Sequence, residues 1–526
     1  MPAVVFSPFS GTAPRHARSL EGKHFAEVAH DVDLSDGTLR PWREPAPVAA
    51  TETNNGYYCG CDFIDLEECE QAHLFNTPCP TVVISGGSNQ ASAGPCDGIK
   101  CPVHFPCPNN VLTLAHTPSD IDEDTDATHY VYTYVNASGN ESAPSYPSLE
   151  IQKKANESVT VSGFETPADL TCTPEIIIYR HVTGFRTGTE GVREEIHGYR
   201  RVAVVPSDSL VFQDTIRDAN LGPALTTEQR TTAPEDLVEV QPMGELGGLI
   251  GHDGTTVYRS VPANHQWWPE DLSTSIGQDI TGLVSHTNFA AAFTNQGVYL
   301  FNQSSGEEQG CSIPRFIEDV PSPIINRDRR RWVSTRFGIV YVSDEGLILL
   351  RPDGQYDDLT GALIGTHLWR QMKPETMRLG FYESNLFFVS DTHGFILNMR
   401  TDIQSSELTT ISDRPERFLT TVHGDLLLIG DGEVSQWNAS GTYRSYKWTK
   451  NVYTRSIVFR DLLASTNGLV TVSVNKSELK VSGDYARARR FKYRKSRTHV
   501  IEIEAEYELA RLAIASSYRE LANVDF

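Results

Sequence analysis

Long apolar runs are missing from this sequence. No stretch approaches the ~18 apolar residues that a membrane-spanning helix needs, and the longest patches, around Leu426–Ile429 and Leu386–Val389, are strand-sized. The opening residues Met1-Pro2-Ala3-Val4-Val5-Phe6 carry no cationic segment ahead of a long apolar core, so no secretory signal is expected. The six Asn-x-Ser triplets, at Asn136, Asn140, Asn156, Asn302, Asn438 and Asn475, then read as surface-turn chemistry and not as glycosylation sites. Cations are also scarce: 45 Lys+Arg against 68 Asp+Glu leave a net charge of −23. So acidic a chain is a poor ligand for duplex nucleic acid over its whole surface, because that binding runs on cationic contacts to phosphate.

Catalytic signatures are absent as well. There is no G-x-S-x-G, no G-x-x-x-x-G-K-[ST] and no H-E-x-x-H. Ser343-Asp344-Glu345-Gly346 comes nearest to a sialidase-type box but lacks its spacing and its Trp. Paired carboxylates are too common in an acidic chain to single out a glycosidase dyad. His265-Gln266-Trp267-Trp268-Pro269, the densest aromatic spot, reads as a packed turn anchor in preference to a sugar platform. No enzymatic activity, cofactor or metal is expected. What remains is ordinary globular composition, 39% hydrophobic and 21% charged, which excludes collagen-like, coiled-coil and wholly disordered chains. A length of 526 residues suggests roughly two to four domains.

Four stretches differ in pattern. Residues 1–110 hold seven of the nine cysteines (Cys59, Cys61, Cys69, Cys79, Cys96, Cys101 and Cys107) among many Pro and Gly, which predicts a loop-rich N-terminal module. The gaps lack the paired C-x2-C rhythm of structural zinc. Reduced, partly buried thiols are the leading reading, with disulfides and then metal as alternatives. Residues 111–235 switch to period-2 alternation, with strands expected at His129–Val135, Ser158–Val161, Glu175–Arg180, Tyr199–Val205 and Leu210–Phe212. That spacing, without helical period, predicts a β-sandwich of the immunoglobulin or fibronectin type III kind. The acidic run Asp120, Asp122, Glu123, Asp124, Asp126 ahead of it has Thr125 and Val131 where an EF-hand wants Gly and Glu, and reads as a solvated linker.

Over residues 236–440 a hairpin recurs: Ala290–Phe293 with Gly297–Phe301, Ile339–Val342 with Gly346–Leu350, Leu386–Val389 with Gly394–Leu397, and Leu426–Ile429 with Gly432–Val434. Its glycines stand 49, 48 and 38 residues apart. Hairpins at that period without helices predict a β-propeller, with a long antiparallel sandwich as the alternative. Residues 441–526 return to strands at Leu469–Val474 and His499–Ala505. Between these lie seven cations in eleven positions: Arg487, Arg489, Arg490, Lys492, Arg494, Lys495 and Arg497. The expected whole is all-β.

Several segments resemble the nozzle, or tail tubular protein B, of short-tailed bacteriophages. Tyr130-Val131-Tyr132-Thr133-Tyr134-Val135-Asn136 with Gly139-Asn140-Glu141-Ser142-Ala143-Pro144-Ser145 is similar to that family's strand-turn motif. Ile178-Tyr179-Arg180 with Thr183-Gly184, and Phe212-Gln213-Asp214-Thr215 with Leu221-Gly222, continue the match. Val257-Tyr258-Arg259-Ser260 with Pro262, His265 and Trp268-Pro269 resembles the element that opens its propeller, departing from it at Arg259 and Val261. Tyr446–Lys450 and Leu512–Leu521 resemble two later motifs. The matches run in order from about residue 128 to the end.

The resemblance implies a ring, of about six copies, at the distal end of a phage tail, assembled in the host cytoplasm and carried in the virion. Its implied partners are further copies of the chain, an adaptor protein toward the portal, tail fibres or spikes, and the host envelope as an open option. Viral DNA would pass through the lumen without sequence-specific binding. An acidic wall has the sign of phosphate and lets DNA slide. The seven cations are then expected to face protein, an interface between subunits or with the adaptor, with DNA contact or a solvated strand edge as alternatives. A receptor-binding adhesin and a carbohydrate-active propeller enzyme are the competing functions.

Overall fold

The computed structural model describes residues 3–14, 25–59, 62–67, 70–76, 80–86, 90–116, 125–154, 157–187, 193–243, 248–262, 264–287, 289–302, 314–318, 320–324, 331–399, 408–421, 423–489, 491, 496–522 and 524. Among them the only α-helices are Thr366–Gln371 and Tyr518–Leu521, so the all-β expectation holds at this level. The chain divides into two compact units. One comprises Met1–Glu70, Ala291–Leu300 and Arg315–Phe526; the other comprises Gln71–Ala290 and Phe301–Pro314.

In the second unit, strands Thr113–His116, Val159–Ser162 and Val211–Asp214 form one three-stranded sheet, and Tyr130–Val135, Glu175–Thr187 and Arg193–Pro206 form another. Both line one core. Tyr130, Tyr132 and Tyr134 alternate inward to meet Val159, Val161, Phe164, Ile176 and Ile178, as a period-2 strand requires. The opposite face of the same strand is covered too, with Val131 against Tyr179 and Leu225. The strand stops where predicted, at a turn in which Asn136 Oδ1 accepts the amides of Ser138 and Asn140 at 3.0 and 2.8 Å and Gly139 takes φ +79°. Asn136 is itself buried beneath a turn whose residues Ala137, Ser138 and Gly139 are exposed. Of the acidic run, Asp120, Asp122, Glu123 and Asp124 fall outside the described residues. Asp126 is exposed on strand Thr125–Thr128.

The loop-rich expectation for the N-terminal region is corrected. Ser92–Pro95, Cys101–Pro102, Glu70–Asn76 and Pro80–Gly86 build a four-stranded sheet. Several of the Pro and Gly residues that suggested loops stand at strand ends, Pro80 opening one strand and Gly94-Pro95 closing another, where a missing amide costs no ladder bond, while Pro106 and Pro108 do lie in non-strand backbone. Val83, Ala91, Ala93 and Val103 pack in one core with Leu237, Val240, Leu249 and Trp268 from the stretch that follows the sandwich.

All four predicted hairpins exist. Phe289–Thr294 with Gly297–Asn302 belongs to a four-stranded sheet through which the division between the units runs. In the first unit, Trp332–Thr335, Gly338–Val342, Leu347–Leu350 and Tyr356–Asp358 make a second such sheet. Arg417–Thr420, Leu426–Gly430 and Glu433–Gln436 make a third, whose fourth strand is supplied by Ala46–Ala50 from the other end of the chain. The hairpin Asn385–Val389/Gly394–Asn398 sits in an eleven-stranded sheet that also holds Val28–His30, Tyr446–Ile457, Asp461–Val474, Ser477–Arg489, Ser496–Ala505 and Leu509–Ala515. Arg444, buried, pairs there with Asp413, approaches Asp31 at 3.6 Å and lies 4.9 Å over the Trp437 ring. The helix-free expectation for the repeat region is corrected by Thr366–Gln371. Trp369 explains it: the side chain is fully buried, and its indole donates to the Ser343 carbonyl at 3.0 Å.

The repeat has a turn signature that alternation alone does not reveal. Thr294, Thr335 and Ser343 each place a hydroxyl at the end of a strand, donating to the carbonyl three residues on, of Gly297, Gly338 and Gly346, at 3.0, 2.9 and 2.9 Å. Gly338 has φ +141°, and a Cβ there would stand 2.2 Å from the Leu350 carbonyl oxygen. Gly338→Ala is therefore expected to destabilise this sheet by more than about 1 kcal/mol, read as a lowered denaturation midpoint. An unchanged midpoint would contradict the packing described.

Candidate interaction surface and the motif-bearing module

The basic stretch begins on the strand Ser477–Arg489 and ends on the strand Ser496–Ala505. Arg487, exposed, donates to the Tyr518 hydroxyl and lies 4.9 Å over its ring. Arg497 is exposed as well, and among the described residues neither arginine forms an ion pair. The backbone of Arg489 pairs with Asp461. Arg490, Lys492, Arg494 and Lys495 lie outside the described residues, as does the side chain of Arg489. The sequence-stretch residues that can be placed thus sit on strand surface with their charge unneutralised.

Three of the motif segments, around Tyr130–Ser145, Ile178–Arg180 and Phe212–Asp214, form one network in the second unit; Tyr446–Lys450 and Leu512–Leu521 belong to the first unit. The edge of Tyr130–Val135 away from its partner strand is closed by a segment that is not a strand. The amides of Ser142, Ser145 and Ser148 donate to the carbonyls of Tyr134, Tyr132 and Tyr130, each at 2.9 Å. In return their hydroxyls accept the amides of the same three tyrosines at 2.9, 3.2 and 2.9 Å. Serine every third residue, with Pro144 and Pro147 between, therefore satisfies both edge-facing backbone groups of each of these tyrosines and leaves no edge there to template another chain. Glu141, at the head of this segment, accepts from Thr133 and Tyr179 at 2.7 Å each.

Arg180 and Asp214 meet inside the module. Both are essentially without solvent exposure, at 1% and 0%. Arg180 pairs with Asp214 and Asp218 and donates to the Ile216 carbonyl at 2.9 Å. The Tyr130 hydroxyl donates to Asp214 at 2.7 Å. Burial alone would lower the Arg180 pKa; Asp214, Tyr130 and Asp218 outweigh it and raise it. Burial, with the Asp214 charge second, holds the Tyr130 phenol far above its ordinary range. Lys153, also buried, is depressed by burial and then by the Arg180 charge. The group ties the two sheets together, with Asp214 and Arg180 buried and the Asp218 carboxylate half-exposed at its rim.

Buried phenols give the module an alkaline limit. Burial pushes Tyr132 up to about 12, against a weaker opposing pull from the Glu165 amide that its oxygen accepts at 2.9 Å. Burial raises Tyr134 too, whose hydroxyl donates to the Glu165 carbonyl at 3.0 Å. An unfolded tyrosine ionises near pH 10, so above that value the unfolded chain sheds protons the folded chain retains, and stability falls as pH rises. Tyr132 alone accounts for about 2–3 kcal/mol lost between pH 10 and 12. The denaturation midpoint is expected to drop steeply across that window and less steeply in Tyr132→Phe. A flat profile would contradict the burial.

A cleft of about 480 Å³ in the same unit is lined by Phe105, Glu141, Arg230, Tyr258, Gln266 and Trp268, among others. Its polar groups are largely committed to structure: Arg230 donates to the Glu141 carbonyl at 2.7 Å and His104 contacts the Ala233 carbonyl at 2.6 Å. Trp268 is buried and donates to the His265 carbonyl at 2.9 Å, in line with the turn-anchor reading of that aromatic spot. Among the described residues no group of three or more His, Cys, Asp or Glu could hold a metal ion.

The thiol reading is corrected for three of the seven clustered cysteines, Cys59, Cys96 and Cys101. Cys101 and Cys172 are bonded across 71 positions with Cα atoms 5.5 Å apart, and Cys59 and Cys96 are disulfide-bonded as well. Cys107 is free. Cys61, Cys69, Cys79 and Cys311 lie outside the described residues. The pairing was invisible in the spacing because Cys172 comes from the sandwich, far from the cysteine-rich stretch.

No protein-family model matches the chain, and no curated protein does. Solved structures with some likeness include Hsv2 of Kluyvelomyces marxianus, 9% identical over 56% of this chain and 89% of that one, with a TM-score of 0.22. Another is the extracellular domain of the putative one component system BT4673 from B. thetaiotaomicron, 11% identical over 69% and 45%, TM-score 0.25. A third is a family 43 arabinoxylan arabinofuranohydrolase from Bacillus subtilis, 7% identical over 69% and 94%, TM-score 0.15. At such scores these likenesses carry no argument about what this chain does.

Proposed function

We propose that the chain is a structural subunit of a short phage tail, a nozzle protein without enzymatic activity. Its copies join in a ring, about six to the ring, and bound the channel through which the genome leaves. Its partners are then the adaptor toward the portal and the fibres or spikes around it, and its place is the virion. On this reading the four-stranded sheets are blades of a β-propeller, with Ala46–Ala50 completing the last blade from the opposite end of the chain. The two three-stranded sheets of the second unit are an immunoglobulin- or fibronectin-like sandwich.

One observation carries the reading. Three of the segments that resemble the nozzle family interlock: Ser142 and Ser145 with Tyr134 and Tyr132, and Arg180 and Tyr130 with Asp214, 84 positions from Tyr130. Short motifs matched by chance have no reason to meet in one hydrogen-bonded module. Net charge −23 supports a channel that repels phosphate over one that traps it. The test is electron microscopy of the purified full chain. Closed rings around an axial opening are expected; trimers with a fibrous end would favour an adhesin instead.

A further inference from the structure

Ser477–Arg489 is an open edge. It pairs with Asp461–Val474 along its length, through a shift of register around Gly483, and with no other described strand. The far side of Asp461–Val474 is taken by Leu509–Ala515 and Ser496–Ala505. Along an edge about 40 Å long, the alternate backbone groups that face away from Asp461–Val474, those of Glu478 and Lys480 among them, meet no other described strand. Strands of that length are normally covered, cut short or charged.

Which amides face outward follows from the turn. Asn475 and Lys476 both have positive φ, +51° and +67°, and stand between the paired residues Val474 and Ser477. In a two-residue hairpin of this kind the flanking pair exchanges both hydrogen bonds, and bonded positions alternate from there. Ser477, Leu479 and Val481 therefore point their amides at Asp461–Val474, and Glu478 and Lys480 point theirs at the open edge.

Charge says what the edge fits. The strand's far end opens the stretch of seven cations, and the rest of the chain carries −30, the −23 of the whole without those seven. A second copy of this chain is accordingly an acidic partner. We infer that the open edge of Ser477–Arg489 takes a strand from an acidic surface of a second copy, with the exposed Arg487 and Arg497 fixing its register. The two surfaces differ, so the contact is heterologous, the kind that closes into a ring. The inference rests on the ring reading and assigns that ring's contact.

Sedimentation of the full chain over a range of concentration and salt tests it. The natural chain is expected to assemble, and to dissociate at higher protein concentration as salt rises. Lys480→Pro removes an outward amide and spares the inward ladder, which an edge strand tolerates; it is expected to keep the native circular dichroism and sediment as a monomer. Arg487→Glu with Arg497→Glu, both at exposed positions, is expected to weaken assembly at least roughly tenfold. Folded variants that assemble like the natural chain would overturn the edge contact and leave the ring reading standing. A natural chain that stays monomeric at every concentration would overturn the ring reading, and the contact with it.

Discussion

Arg180→Met is expected to destabilise the module of two three-stranded sheets by about 3–5 kcal/mol, the cost of leaving a buried carboxylate without its ion partner. Among the described residues Asp214 then keeps the Tyr130 hydroxyl at 2.7 Å and the Ile216 amide at 2.8 Å, with buried Lys153, itself depressed by burial, as the remaining cation acting on it. The effect belongs to the unpaired charge and not to the loss of a favourable bond. Removing both partners, in Arg180→Met with Asp214→Leu, should therefore recover most of the loss, because the cost of desolvating the pair goes with it. Hydrogen exchange at the amides of Tyr130–Val135 and Glu175–Arg180 reads this locally, which matters in a chain of two units that need not unfold in one step. Equal losses in the single and double variants would show that Arg180 acts through packing and not through charge.

Breaking the Cys101–Cys172 bond is the second large effect. The bond closes a loop spanning 71 positions. Chain-entropy arguments put its stabilisation at about 4 kcal/mol for a loop of that size, within a usual range of 2–5 for native bonds. The double substitution Cys101→Ser, Cys172→Ser should lower the denaturation midpoint of the second unit and leave the first unit's transition in place. A reductant is the blunter experiment, because it also reduces the bonds at Cys59 and Cys96. If the double variant melts with the natural protein, the covalent tie contributes nothing to the module's stability.

Much of the fold was legible because its signals are local. Alternation located Tyr130–Val135 and all four hairpins, and a glycine after a strand located the turns. Contacts remote in sequence were not legible. Ala46–Ala50 reads as a Pro- and Ala-containing stretch, and its pairing with Glu433–Gln436 is set by an open sheet edge nearly four hundred positions away. The Cys101–Cys172 bond was missed for the same reason. Both cysteines are buried, and nothing near Cys101 in sequence announces a partner 71 positions on. The proline- and glycine-rich stretch misled because composition counts those residues without seeing that they fall at strand ends. The basic stretch was plain as charge, but charge alone does not say which edge of which strand carries it.

The most direct measurement is an electron cryomicroscopy reconstruction of virions in which this chain carries an added tag density. The account predicts a symmetric ring at the distal end of a short tail, one tag per subunit, around an open lumen continuous with the DNA. A tag confined to lateral trimeric fibres, or absent from the particle, would contradict it.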